Sequence, residues 1–70
     1  MERTNVSSSM IRSIGYDLDT STLEIEFNSG PVWQYYDFPE SNWYEFENTS
    51  SHGKYFHAAI KGNFRELQVG

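Results

Sequence analysis

No cysteine occurs among the 70 residues, which excludes disulfides and thiolate metal sites and leaves nothing that indicates an oxidising compartment. Long apolar runs are missing as well. None approaches the roughly 18 residues of a membrane span, and Met1 to Ser9 is too polar for the apolar segment of a signal peptide. These absences predict a soluble, unprocessed, cytoplasmic protein that does not enter a membrane. Cations are few. Five Lys and Arg stand against ten Asp and Glu, a net charge of -5, which argues against indiscriminate binding of nucleic acid through its phosphates.

Catalytic and metal signatures are scarce too. Asp17-x-Asp19-x-Ser21 begins like a calcium loop, but Thr22 stands where the glycine is needed and Asn28 where the bidentate glutamate should be. His52 and His57 are five apart, which separates them around a helix, and no cysteine accompanies them. Gly53-Lys54 lacks the upstream glycine and the following Ser or Thr of a phosphate-binding loop, and there is no Gly-x-Ser-x-Gly elbow. Asn48-Thr49-Ser50 matches a glycosylation sequon, which means nothing without secretion. Nothing assembles a nucleophile, a base and an orienting group, so neither enzyme activity nor a cofactor is expected.

What the chain has in quantity is aromatic side chains, twelve in all, with four of them inside "PVWQYYDFP", residues 31 to 39. A chain of this length hides only about 60% of its unfolded surface. The rings must therefore supply much of the core, and self-association is expected to add to it. Charge is divided unevenly: residues 1 to 49 carry two positive and nine negative side chains, and residues 50 to 70 carry three positive, one negative and both histidines. The acidic and basic parts are separate.

Along the chain, "MERTNVSSS" has little apolar content and reads as a flexible N-terminal arm, residues 1 to 7, before a single domain from residue 8 to 70. "MIRSIGYD" suits a strand with Met10, Arg12, Ile14 and Tyr16 on one face and Ile11, Ser13 and Gly15 on the other. "TLEIEFN" is the clearest strand: Leu23, Ile25 and Phe27 face the core, and Thr22, Glu24, Glu26 and Asn28 face water. Glu24 and Glu26 read as solubilising groups rather than an acid and a base. "NSGP" fits a hairpin loop, "VWQYYDF" a third strand, and Pro39 ends it. "PESNWYEFEN" fits a short helix with Trp43 and Phe46 on one face, "TSSHG" a break with serine caps, "KYFHAAIK" a second helix ended by Gly62, and "NFRELQV" a last strand. The order β-β-β-α-α-β predicts an α+β domain, a small antiparallel sheet with two short helices packed on one face.

Several of these residues together carry a family resemblance: Ile14-Gly15-Tyr16-Asp17, the strand Leu23 to Phe27, Ser29-Gly30, the ring pair Trp33 and Tyr35, Pro39, and Ser51-x-Gly53-x-Tyr55-Phe56 with Ile60. From residue 8 to about 64 the chain resembles the KTSC domain, named for the C-terminal region of some lysyl-tRNA synthetases and found also as a small stand-alone protein. Trp33 departs from the family's usual tyrosine while keeping a large ring. The resemblance implies this fold; the family has no established activity, and RNA binding is its suggested role.

Two constellations are candidates for a site. On the second helix Lys54, His57 and Lys61 share one face and Phe56, Ala59 and Ile60 the other. With Ser51, Gly53 and Lys54 as first contacts at the helix start, and Lys61 and Arg65 as supporting charge, this face suits a phosphate or carboxylate. It equally suits the solvated side of an amphipathic helix. In the third strand, alternation sends Val32, Gln34, Tyr36 and Phe38 one way and Trp33, Tyr35 and Asp37 the other. If Phe38 and Val32 are core, Trp33 and Tyr35 lie on the open face, where rings stack on RNA bases. If Gln34 points outward, Trp33 and Tyr35 are the core or an interface. The expected partner is RNA or another phosphate-bearing ligand; the alternative is a protein-interaction or self-associating accessory domain of bacterial or phage origin.

Overall fold

A computed structural model describes residues 1 to 70. Its sheet has five antiparallel strands in sequential order: β1 (Thr4–Asn5), β2 (Ile11–Asp17), β3 (Thr22–Phe27), β4 (Val32–Tyr35) and β5 (Glu66–Gln68). Two helical segments, α1 (Glu40–Asn48) and α2 (His52–Tyr55), are inserted between β4 and β5, and α2 continues as a π turn over Phe56–Ile60. This is a small α+β fold with the helices on one face of the sheet. The alternation of β3 places Leu23 and Ile25 in the core at no measurable exposure, beside Ile11, Ile14, Tyr35, Phe38, Phe46, Phe56 and Ile60. Rings hold the layers together. Phe56 meets Phe27 and Tyr35 edge-on at 5.3 and 5.9 Å, and Tyr16 stacks on Trp43 of α1 at 5.4 Å.

Two breaks in strand parity decide which face is which. In β2, Ile11 pairs with Phe27 but Ser13 pairs with Glu26, so Arg12 is an extra residue in a β-bulge. The bulge lets Ile11 and Ile14, three residues apart, both face the helices, where strict alternation had put them on opposite faces. After β4, Asp37 takes φ 55°. That left-handed residue reverses the chain's parity, so Phe38 returns to the core although Tyr35 is already there. Strand registers confirm the outcome: Leu23 pairs with Tyr35 and Ile25 with Trp33, so both rings share the core face. Gln34 points outward.

The N-terminal residues differ from the expected flexible arm. Thr4 and Asn5 pair with Ile14 and Ser13 to form an edge strand, extended by the Val6 N–H to the Arg12 carbonyl at 3.0 Å. The arm passes so close over β2 that a Cβ on residue 15 would sit 2.3 Å from the Glu2 carbonyl oxygen. Gly15 is there because only glycine permits that crossing. The arm also carries Arg3 onto the outer face, and its guanidinium pairs with Glu24 and donates from Nε to Ser13 Oγ at 3.0 Å. Gln34 Nε2 donates to the other Glu24 oxygen at 2.9 Å, and Tyr36 Oη donates to Gln34 Oε1 at 2.9 Å. Glu24 is consequently buried, 7% exposed, and is part of a satisfied polar ladder. The sequence read it as solvated because the covering arm is remote in the chain.

Helix boundaries follow local chemistry. Pro39 precedes α1 at φ -64°, already suited to the helix entry, and Glu40 sits in the first turn where the dipole favours an anion. Ser51 caps α2, its Oγ accepting from the Lys54 N–H at 3.4 Å. The second helix thus starts at His52 and ends at Ile60, with the Lys61 N–H reaching the Phe56 carbonyl, an i to i-5 bond, at 2.9 Å. Gly62, at φ 80°, turns the chain away. Phe64 packs on Phe38 at 4.9 Å, and the last strand shortens to three residues.

Candidate functional site

Beside the N-terminal end of α2 lies an open groove of about 750 Å³. One wall is the loop Ser7 to Met10, which leads into β2. The other is Ser50 to Lys54, with His57 and Ala58 one turn on. The two walls come from segments at least forty residues apart, and they meet because β2 and the second helix pack on the same core. At Gly53 the walls come into contact: a Cβ there would lie 3.8 Å from Ser8 Oγ, an ordinary van der Waals distance.

Local hydrogen bonds shape the groove. Ser8 Oγ accepts the N–H groups of Met10 and Ile11, both at 3.2 Å, and its carbonyl accepts from Asn28 Nδ2 at 2.9 Å. The loop is therefore tied to both β2 and the β3–β4 turn. On the other wall, the Ser51 N–H donates to Thr49 Oγ1 at 3.3 Å and the Lys54 N–H to Ser51 Oγ. The Ser51 and Lys54 amides at the helix start are thus already engaged, which leaves recognition to the side chains. Lys54 is exposed and makes no ion pair. His52, against the Phe46 ring at 5.4 Å, has a buried Nε2 without a hydrogen-bond partner. The groove thus combines hydroxyl groups, one ammonium and two imidazoles with a small apolar strip from Met10 and Ala58.

Of the residues expected at a site, Ser51, Gly53, Lys54 and His57 line this groove together. Lys61 and Arg65 do not. The π turn winds the chain less per residue than an α-helix and separates Lys61 from Lys54, and Lys61 itself leaves the helix at ψ 121°. Arg65 belongs beside β4: its guanidinium lies 5.3 Å from the centre of the Tyr36 ring and 3.7 Å from the Asp37 carboxylate. Of the two readings of Trp33 and Tyr35, the structure has both on the core face of the sheet: Tyr35 is 2% exposed, and Trp33 packs half-buried against the same core. Burial, with the Glu66 carboxylate paired across from it, pushes the Tyr35 hydroxyl far above its ordinary pKa.

Sequence reasoning missed Ser7, Ser8, Ser9, Met10, Ser50, His52 and Ala58 as groove residues. The serine run was the available signal, but it read as a lead-in because its partner wall lies so far along the chain. No helix is long and apolar enough to cross a membrane.

The KTSC domain family matches residues 7–64 of this chain. Over 61 residues it is 41% identical to a lysine–tRNA ligase of Trichormus variabilis, covering 87% of this chain and 11% of the ligase. The chain thus spans about a tenth of the length of the ligases it matches. It is 34% identical to an uncharacterised protein of Stutzerimonas stutzeri, covering 87% of this chain and 86% of that one. A crystal structure of a KTSC domain protein from Yersinia pestis is 43% identical, superimposes with a TM-score of 0.93, and covers 99% of this chain and 97% of its own. This chain belongs to the KTSC domain family.

Proposed function

We propose that the domain is a non-catalytic cytoplasmic module that binds RNA, through its phosphate, in the groove between the Ser7–Met10 loop and the second helix. The observation that carries this reading is the convergence of Lys54, His57 and serine hydroxyls from two distant segments on one cavity. Hydroxyls and an ammonium are donors without acceptor charge, which suits a phosphate oxygen. The likeness to a segment of lysine–tRNA ligases supports RNA as the carrier of that phosphate. The test is a titration of the protein with a short RNA, followed by amide chemical shifts. The expected result is perturbation centred on Ser51, Gly53 and Lys54, with at least tenfold weaker binding for Lys54→Ala. Perturbation confined to β5, or no perturbation, rejects this reading.

A second reading rests on a separate observation. β5 is a free sheet edge on which Leu67 is 56% exposed, followed directly by Val69 at 47%, and such an edge suits pairing with another chain. Under this reading the domain self-associates or binds a protein strand there, and Leu67→Lys abolishes the association in sedimentation while leaving RNA titration unchanged.

A further inference from the structure

We infer that the groove recognises a single phosphate monoester on one nucleotide-sized unit, a phosphate-terminated RNA end or a free mononucleotide, and does not track a strand; this rests on the reading of the groove as a phosphate site. The first argument is the inventory of cations. Arg3 is engaged by Glu24 and Glu26, and Arg65 by Asp37 and the Tyr36 ring. Arg12 and Lys61 do not line the groove, so Lys54 is its one permanent positive charge. Proteins that follow a nucleic-acid backbone neutralise on the order of 6–10 phosphates. This groove neutralises about one. The neighbouring α1 carries Glu40, Glu45 and Glu47 without a cation, and the chain as a whole is at -5, so flanking phosphates of a strand meet repulsion.

The second argument is size and wall chemistry. A groove of about 750 Å³ falls in the range of roughly 300–1,000 Å³ that holds one small ligand. Met10 and Ala58 give a base or sugar an apolar surface. Ser8 and Ser51 are occupied in shaping the walls, whereas the Ser7, Ser9 and Ser50 hydroxyls line the groove without such a task. His52 and His57 add two imidazole rings to the groove's lining. The third argument is charge per phosphate. A monoester carries about -1.5 to -2 near neutral pH, against a single charge on an internal diester, so one lysine surrounded by hydroxyl donors discriminates in favour of the terminal group.

The experiment uses the 70-residue protein and five probes: inorganic phosphate, adenosine, adenosine 5′-monophosphate, and one ten-nucleotide RNA bearing either a terminal phosphate or hydroxyls only. Each is titrated while amide shifts are recorded, and the two RNAs are repeated across salt concentrations. The monophosphate and the phosphorylated RNA are expected to shift Ser51, Gly53, Lys54 and His57, and to bind at least tenfold more tightly than adenosine and the unphosphorylated RNA. Log affinity is expected to fall with log salt at a slope no steeper than about -2. Preference for the RNA over the mononucleotide, or the reverse, identifies the source. Equal binding of the two RNAs with a steeper slope overturns the single-phosphate inference while the RNA reading stands. Inorganic phosphate binding as tightly as the monophosphate overturns the nucleotide-sized unit. Silence from every probe removes the inference and the underlying reading together. Lys54→Gln and His57→Gln, both at exposed positions, are compared by circular dichroism with the parent, so a binding loss is separated from misfolding.

Discussion

The carbonyl oxygen of Glu2 occupies the space where a side chain on residue 15 would begin, 2.3 Å from an ideal Cβ. The N-terminal arm and β2 are thereby in direct backbone contact, and the contact cannot survive any larger residue. Gly15→Ala is expected to displace the arm and to cost about 1–3 kcal/mol in urea denaturation, the range for overpacking a tight site. Hydrogen exchange at Thr4 and Asn5 should accelerate in the variant. Unchanged exchange at those amides would mean that the arm does not depend on Gly15.

Arg3 and Glu24 offer an independent test of the same arm. Removing the guanidinium leaves a buried carboxylate with Gln34 as its remaining partner, a situation that costs about 1–3 kcal/mol or more for a charged group. Arg3→Ala should therefore destabilise the protein, and adding Glu24→Gln should recover much of the loss, because the orphaned charge is then gone. A double-mutant cycle in urea measures the coupling. Additive effects would show that the ladder on the outer face contributes nothing cooperative.

Trp33 separates core from ligand surface. Trp33→Ala removes a half-buried ring opposite Ile25 and is expected to cost about 2–4 kcal/mol, near or below the usual range for fully buried rings. The milder Trp33→Phe keeps the fold and should leave RNA affinity within twofold of the parent, whereas Lys54→Ala lowers it at least tenfold. A binding loss in Trp33→Phe comparable to that of Lys54→Ala would return the ring to the binding surface.

Alkaline stability reports on the helix pair. Burial, and then the hydrogen bond from Tyr55 Oη to Glu45 Oε1 at 2.8 Å, push the Tyr55 hydroxyl up to about 12 from its ordinary 10. The folded state therefore holds the proton more tightly than the unfolded state. Its stabilising contribution is complete below pH 10 and is lost as pH rises from 10 through about 12. Tyr35, raised further by burial and by Glu66, acts in the same direction. Urea midpoints measured between pH 8 and 11.5 should fall above pH 10, and Tyr55→Phe should make that fall shallower. An identical slope in the variant would place the alkaline transition elsewhere.

Local rules in the sequence determined the elements themselves. The alternation of Thr22 to Phe27 needs only one wet and one dry face. Pro39, Ser51 and Gly62 act within one turn of chain through φ restriction, capping and a positive φ. Each depends on neighbours close in sequence, so each was legible without coordinates. Tertiary structure alone decided the parity breaks, the covered outer face and the groove. The bulge at Arg12 and the left-handed turn at Asp37 are single-residue events that reverse which side chains face the helices; aspartate tolerates a positive φ without requiring one, and nothing local marks Arg12 as a bulge. Arg3 against Glu24, and Ser8 against Gly53, meet across 21 and 45 positions of chain. Their pairing is settled by the packing of the whole core, because the free energy that brings distant segments together belongs to the burial of Ile11, Leu23, Ile25, Phe46 and Ile60, and not to the residues that end up facing one another.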